Sequence, residues 1–345
     1  MSAPALPRAR IGDSGVEVTR FVLGCAPIGG LYSAVDETTA RGALDAAWRG
    51  GVRAFDVAPH YGVGLAEERL GRFLATVPGE QVTVSSKVGR LLVDTDEDVE
   101  GVDEFYGTPR RRRVRDYSRD GVRRSVLESL ERLGRDRLDV ALVHDPEGHE
   151  SQALDEGYRA LDDLRSEGVV GAIGVGTNIS AVASWFVERA DLDCVLVAGR
   201  YSLLGDDGAT ELFGACVRRD VSILVGGVFR SGILARPGRG AHVDYEPAPG
   251  DLVDRVARIE AVCARHSVAL PAAAMQFVLS RPEVDAVVVG AASEAEVVEN
   301  LAHFAATVPE DVFEELASLD LAPPTARRGR GQRSDDERAE TPKER

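Results

Sequence analysis

Asp56, Tyr61, Lys87 and His144 are the residues of this chain whose types and spacing could do chemistry. Asp56 closes the apolar run Arg53-Ala54-Phe55-Asp56, which reads as a buried strand, and Tyr61 stands five residues on in the turn cluster 58–64. Lys87 ends Ser85-Ser86-Lys87, and His144 ends Leu142-Val143-His144. A phenol titrates near pH ~10 in water, so exchanging a proton with a carbonyl or alkoxide oxygen at neutral pH needs a neighbouring cation that favours phenolate. Lys87 can supply it. Of the 41 basic residues only Lys87 and Lys343 are lysine, so a chain that otherwise uses arginine keeps a compact ammonium here. A point charge approaches a phenolic oxygen more closely than a planar guanidinium does. Asp56 would hold that ammonium charged in a poorly solvated mouth, and His144 would donate a hydrogen bond that orients the reacting oxygen. The plainer alternative is structural: Asp56 caps the turn, Tyr61 packs, and His144 is a satisfied core histidine.

These groups can act together only if the elements carrying them end at one rim. Residues 8–24 read as a β-hairpin turned at Asp13-Ser14-Gly15 and running into a buried strand from Phe21. Helix 36–49, capped by Asp36, precedes the Asp56 strand, and Leu65, Leu70 and Phe73 then recur at helical spacing. The alternation continues through strand 81–87, helix 119–133, strand 138–144, helix 152–166, strand 172–176, helix 180–190, strand 193–197 and helix 209–219. Strand 221–225, helices 252–266 and 271–279, strand 284–289 and helix 294–305 complete it. Eight strands alternating with helices predict an α/β fold, a (β/α)8 TIM barrel over residues 1–320 with the N-terminal hairpin in front. A doubly wound open sheet is the alternative, and the lack of a G-x-G-x-x-G after the first strand favours the barrel. In a barrel the carboxyl ends of all strands share one face, where active sites are built.

Residues 91–118 are too long for a simple connection and read as a candidate lid. They carry an acidic block (Asp94, Asp96, Glu97, Asp98, Glu100) followed by Arg110 to Arg113 and Arg115, and this basic run is expected to be solvated, balancing the acids. Residues 321–345, rich in Pro, Gly and charge, are expected to form a disordered charged tail. No apolar run approaches the roughly 18 residues of a membrane span, the N-terminus lacks a signal-peptide core, and Cys25, Cys194, Cys216 and Cys263 show no close pairing. A reduced, cytoplasmic protein with no membrane partner, disulfide framework or metal site is expected. The net charge of -16 argues against a nucleic-acid partner, which needs clustered cations.

The stretch from Asp56 to Gly71 resembles the signature of the aldo-keto reductase superfamily. Asp56, Ala58, Tyr61 and Gly62 match a (D/N)-x-A-x-x-Y-G pattern, Glu67 or Glu68 and Leu70-Gly71 follow, and Lys87 and His144 complete the family's tetrad in order. The resemblance implies Asp56, Tyr61, Lys87 and His144 as catalytic residues, and a nicotinamide cofactor for the hydride that no side chain can supply. Thr177-Asn178 resembles the pair that holds the carboxamide. Ser231, Gly232 and Leu234, then Gly290 and Ala291 with Glu296 and Asn300 in the next helix, resemble the loops around the pyrophosphate and adenine. Two positions depart from the pattern: Ala198 replaces a usual Gln, and Gly226 or Gly227 a stacking Tyr.

Residues 116–121, 143–146, 198–201 and 227–232 are similar to the aldose dehydrogenase branch of that family, with its pyridoxal 4-dehydrogenase neighbours. This implies NAD-dependent oxidation of the anomeric hydroxyl of an aldose, such as L-fucose or a D-threo-aldose, with His60, Arg200 and Arg230 as substrate contacts. NADPH-dependent reduction of small aldehydes or ketones on the same tetrad is the alternative, and a non-catalytic cofactor-binding subunit is a third. The partner is a small sugar or carbonyl; the oligomeric state is open, a monomer being common in the family. NAD is expected over NADP, which stays possible. Gly290 and Glu296 stand where NADP-using relatives place cations, and a carboxylate accepts from a ribose hydroxyl but repels a phosphate.

Overall fold

Short apolar strands buried on both faces cannot rest at a sheet edge, and here the sheet has none. The computed structural model describes residues 5–238, 242–243 and 246–323. Eight parallel strands close into a barrel: β1 (Phe21–Gly24), β2 (Ala54–Asp56), β3 (Thr83–Val88), β4 (Leu138–His144), β5 (Val170–Thr177), β6 (Cys194–Ala198), β7 (Ser222–Gly226) and β8 (Val284–Gly290), with β8 paired back onto β1. Every expected strand is present, its ends displaced by no more than two residues.

The helices start and stop where local chemistry says they should. Asp36 caps Glu37–Arg49 by accepting from the Thr39 N–H at 2.8 Å, and Ser118 caps Arg119–Leu133 by accepting from Gly121 at 3.1 Å. The expected helix 152–166 departs from simple periodicity, since Ala153–Tyr158 forms a π-turn before Arg159–Ser166. A helix that was not anticipated, Glu310–Ser318, buries Val312, Phe313 and Leu316. Leu321 and Ala322 are buried too, and the Leu321 carbonyl accepts from Arg255 Nε at 2.9 Å, so the packed body runs past the boundary expected at 320. Residues 324–345, the bulk of the expected tail, lie outside the described residues.

The N-terminal hairpin, Arg8–Ile11 against Val16–Thr19, stoppers the barrel at the end where the strands begin. Ile11, Val16 and Val18 join Val22, Val140, Leu142, Leu196 and Leu224 in an interior apolar cluster, while a second, larger cluster lies between strands and helices. Ser222, the first residue of β7, accepts from the Gly12 N–H at 2.9 Å and donates to the Arg10 carbonyl at 3.0 Å.

The stretch after β3, expected to be a long connection and candidate lid, begins and ends as an antiparallel ribbon, Arg90–Asp94 against Arg111–Arg115, with Arg90 opposite Arg115, and it corrects the expectation for its basic run. Its arginines are not simply solvated. Strand alternation sends Arg111 and Arg113 toward the body and Arg112 outward, a distinction that charge counting cannot make. Between the two strands, Phe105 bridges to Leu31 and the Tyr106 N–H donates to the Gly30 carbonyl at 3.0 Å, which pins this wall to the loop after β1. Among the described residues no single helix is long and apolar enough to cross a membrane.

Candidate active site

Strand register explains why a carboxylate and an ammonium meet at the mouth. Asp56, the last residue of β2, pairs in register with Ser85 of β3, and Lys87 lies two residues further along the same face of β3. Ser85 Oγ therefore donates to Asp56 Oδ2 at 2.9 Å, while Lys87 Nζ reaches Asp56 Oδ1 at 2.6 Å and the Val57 carbonyl at 3.0 Å. Asp56 and Lys87 are each 2% exposed. Burial pulls the Lys87 ammonium down, but Asp56 and then Tyr61 more than reverse it, and the net displacement is upward. Lys87 is thus a fixed cation.

Tyr61 opens the tight turn Tyr61–Gly64, in which Gly62 and Val63 take positive φ of 59° and 48°. Only glycine fits at 62, because a methyl there would collide with the Gly29 carbonyl. The turn lays the phenol ring 4.7 Å, at its centroid, from Lys87 Nζ. Burial raises the Tyr61 phenol and Lys87 opposes that rise, yet the net direction is upward. Lys87 acts on the phenol in the direction the sequence suggested, and burial adds what the sequence could not show, an opposing and larger push that keeps the phenol protonated at rest.

His144 and His60 complete an aromatic cage. Their rings are 5.6 Å apart and nearly perpendicular, His144 meets Tyr61 edge-on at 6.0 Å, and Phe105 stacks on Tyr61 at 6.2 Å with 24° between planes. Burial, then the charge of Arg90, holds His144 well below the ordinary imidazole range, and the same two causes bring His60 to about 2. Both rings are neutral across the physiological range. His144 sits beside Asp145, whose Oδ2 is 3.5 Å from His144 Nε2 and 2.7 Å from Arg90 Nη2.

Sequence reasoning gave no site role to five residues at this rim, Phe105, Arg90, Arg113, Tyr117 and Asp145, although Arg113 lies in the basic run and Tyr117 and Asp145 in stretches similar to the aldose dehydrogenase branch. Arg113 forks onto the His60 carbonyl with Nε at 3.1 Å and Nη2 at 2.8 Å, pairs with Asp103 at 3.2 Å and lies over Phe105. Arg111 donates to the Val63 carbonyl at 3.3 Å, so the ribbon braces the Tyr61 turn at both ends. Tyr117 places its hydroxyl within donating distance of the His144 and Asp145 carbonyls, at 2.6 and 2.7 Å. The available signal was Gly89-Arg90 directly after the lysine strand. Gly89 has φ of 104° with the Tyr117 ring against it, and the chain turns there to bring Arg90 back to the mouth.

The candidate cofactor residues fall at the ends of β5, β7 and β8. Thr177 is buried, donates to Glu147 and accepts from the Ile179 N–H at 3.0 Å, while Asn178 beside it is exposed. Ser231 and Gly232 turn with positive φ after β7. Leu234 and Ala291 are buried in the core, which leaves their backbone and not their side chains for a ligand. Asn300 Nδ2 donates to the Gly290 carbonyl at 3.4 Å. Glu296 curls back on its own loop, accepting from the Ala292 N–H at 2.9 Å and from Arg236 at 3.3 Å, so it joins the loops after β7 and β8. Arg200 and Arg230, taken as substrate contacts, both pair with Asp207, at 3.5 and 3.0 Å, and Arg230 also donates to the Gly199 carbonyl. They tie the β6 and β7 loops together beside an open groove of about 400 Å³ that also touches Asn178.

Residues 20–321 match the model of the Aldo/keto reductase family. The chain is 42% identical to D-threo-aldose 1-dehydrogenase from Pseudomonas sp, covering 90% of this chain and 96% of that protein. It is 37% identical to pyridoxal 4-dehydrogenase from Microbacterium luteolum, over 93% and 99% of the two chains. An aldo-keto reductase from Bacillus halodurans, solved in its holo form, superposes with a TM-score of 0.74 at 23% identity, over 92% of this chain and 97% of that one, and so shares the fold. With Asp56, Tyr61, Lys87 and His144 gathered at the carboxyl rim of a closed barrel, and with the match spanning nearly the whole packed body, this chain belongs to the Aldo/keto reductase family of oxidoreductases.

Proposed function

We propose that the chain oxidises the anomeric hydroxyl of an aldose, such as L-fucose or a D-threo-aldose, to the lactone with NAD. The observation that carries this reading is the buried Asp56–Lys87 pair set against Tyr61 and His144, in a chain 42% identical to a D-threo-aldose 1-dehydrogenase. Lys87, kept cationic by Asp56, eases negative charge onto the Tyr61 oxygen, so Tyr61 takes the hydroxyl proton as the anomeric C–O bond gains double-bond character. Neutral His144 donates to the same oxygen and orients it. A nicotinamide held at this rim would supply the acceptor for the hydride that leaves the anomeric carbon. Thr177 and Asn178 would hold its carboxamide, and Ser231, Gly232, Gly290 and Asn300 its phosphate and adenine end. The rim can fit such a group at the β7 loop, where the space in which Gly232 would carry a Cβ is open, while Gly226, Gly227 and Gly290 serve close packing against Ala198, Gly199 and Pro27.

Glu296 supports NAD, since by resemblance it stands where NADP-using relatives carry a cation for the 2'-phosphate. Arg236, its partner, is the cation that would serve NADP if the pair opened. Dissociation constants for both nicotinamides at one ionic strength test this. NAD should bind more tightly and Glu296→Arg should move the ratio toward NADP, whereas tighter NADP binding by the wild type overturns the assignment.

A second reading, NADPH-driven reduction of small aldehydes or ketones, draws on the raised Tyr61 phenol, which keeps the proton that a carbonyl must receive. Steady-state rates with L-fucose and NAD against a carbonyl panel and NADPH separate the two. Faster turnover of the carbonyls at matched concentration reverses the order.

A further inference from the structure

Arg90 is a charged group that the tetrad does not use. It is 8% exposed, one of its terminal nitrogens, Nη2, is held by Asp145 at 2.7 Å, and the other, Nη1, is buried without a hydrogen-bond partner. An unsatisfied guanidinium N–H in such a place is costly unless a ligand or water completes it. Its position relative to the reacting atoms is constrained. The Asp145 oxygen that it holds is 3.5 Å from His144 Nε2. Among charged groups it also weighs most heavily on both His60 and His144, ahead of Lys87.

Resting on the reading that the reacting oxygen sits against Tyr61 and His144, we propose that Arg90 is a specificity residue. Its free Nη1 donates to an oxygen on the carbon next to the reacting one, so the site selects substrates with a hydroxyl or ether oxygen at that position. Aldoses belong to this class, and so do the simplest 2-hydroxyaldehydes. Arginine suits the task because its fork can hold Asp145 with one nitrogen and a substrate oxygen with the other. Lysine has one nitrogen for both.

The test compares two matched carbonyls, lactaldehyde and propanal, reduced by the full-length wild type, Arg90→Met and Arg90→Lys with NADH and with NADPH. Wild type should prefer lactaldehyde, and both variants should lower the lactaldehyde-to-propanal ratio of kcat/KM by roughly 10- to 100-fold, the loss of one charge-assisted hydrogen bond. Arg90→Lys keeps a cation for Asp145 and guards against misfolding of the methionine variant. Melting temperature and NADH binding, followed by fluorescence, report on the fold of each. An equal loss on both carbonyls means that Arg90 only positions His144 through Asp145, and it overturns the inference. So does a wild type that favours neither carbonyl, while leaving the oxidoreductase reading intact. A wild type that turns over neither carbonyl and no aldose defeats that reading itself, and the inference falls with it.

Discussion

The two ends of the barrel are built on opposite principles. Where the strands begin, the hairpin drives Ile11, Val16 and Val18 into the interior, and three carboxylates there tie neighbouring strands together. Asp139 of β4 accepts from Val84 of β3 at 2.8 Å, Asp193 before β6 accepts from Ile173 of β5 at 2.7 Å, and Asp285 of β8 accepts from Ile223 of β7 at 2.8 Å. One device thus recurs at alternate strand pairs. Where the strands end, polar groups are buried as well, but Arg90 Nη1 and His60 Nδ1 have no hydrogen-bond partner, and burial displaces the protonation of Tyr61, His60 and His144 as it does that of Asp139 at the other end. The sealed, strand-start end spends its buried carboxylates on strand-to-strand bonds, though Arg281 Nε and Glu283 Oε2 just before β8 go without a hydrogen bond. The working end clusters its atoms without a hydrogen bond around Tyr61 and His144 and keeps capacity for a ligand.

The strongest way to break this contrast is Tyr61→Phe. Losing only a hydroxyl should lower kcat by about 10²- to 10⁴-fold, as expected for one general acid–base group, with stability held to within about 1 kcal/mol. Substantial residual turnover would move the proton transfer to another group. The pH dependence sharpens the same point. Burial raises the Tyr61 phenol, so the proton-accepting form grows only as pH climbs toward and past the ordinary phenol value near ~10. Oxidation should therefore accelerate with rising pH while reduction holds through neutrality and then falls. Profiles of kcat/KM in both directions check this, and an ascending limb near pH ~6.5 would point to a histidine base instead.

At the sealed end the expected effects fall on stability. Ile11→Ala should destabilise by about 2–5 kcal/mol, read by denaturant unfolding, with kcat/KM at low temperature little changed. A large fall in kcat/KM without loss of stability would show that the ends are coupled. Asp139→Asn should have the smallest effect, within about 1 kcal/mol, because the amide oxygen still accepts from Val84. Burial raises the Asp139 carboxyl despite the Val84 bond and Arg135, so the folded state holds its proton more tightly than the unfolded chain does. Its contribution to stability is thus greatest below the ordinary carboxyl value and is lost as pH rises through the raised one. Asparagine, which has no charge to bury, should flatten that dependence, and an unaltered stability–pH profile would count against this account.

Much of the barrel could be read without coordinates. Each strand is a short apolar run bounded by turn residues, some helices carry a capping residue such as Asp36, and Asp56, Lys87 and His144 stand at the carboxyl ends of their strands, so an alternating βα pattern alone brings them to one rim. What stayed illegible depended on contacts between segments far apart in the chain. The basic run after β3 looked like solvated charge, because composition does not reveal that strand alternation turns Arg111 and Arg113 inward onto the Tyr61 turn. Arg90 looked like one more arginine until the turn at Gly89 brought it to Asp145. Glu296 was singled out from its place in the chain, but its bonds to Ala292 and Arg236 needed the loops after β7 and β8 in place. The resting state of Tyr61 was decided by burial, which outweighs the nearby lysine. Local sequence sets propensity and residue type through short-range sterics and hydrogen bonding; dielectric surroundings and long-range pairing exist only once the barrel has closed.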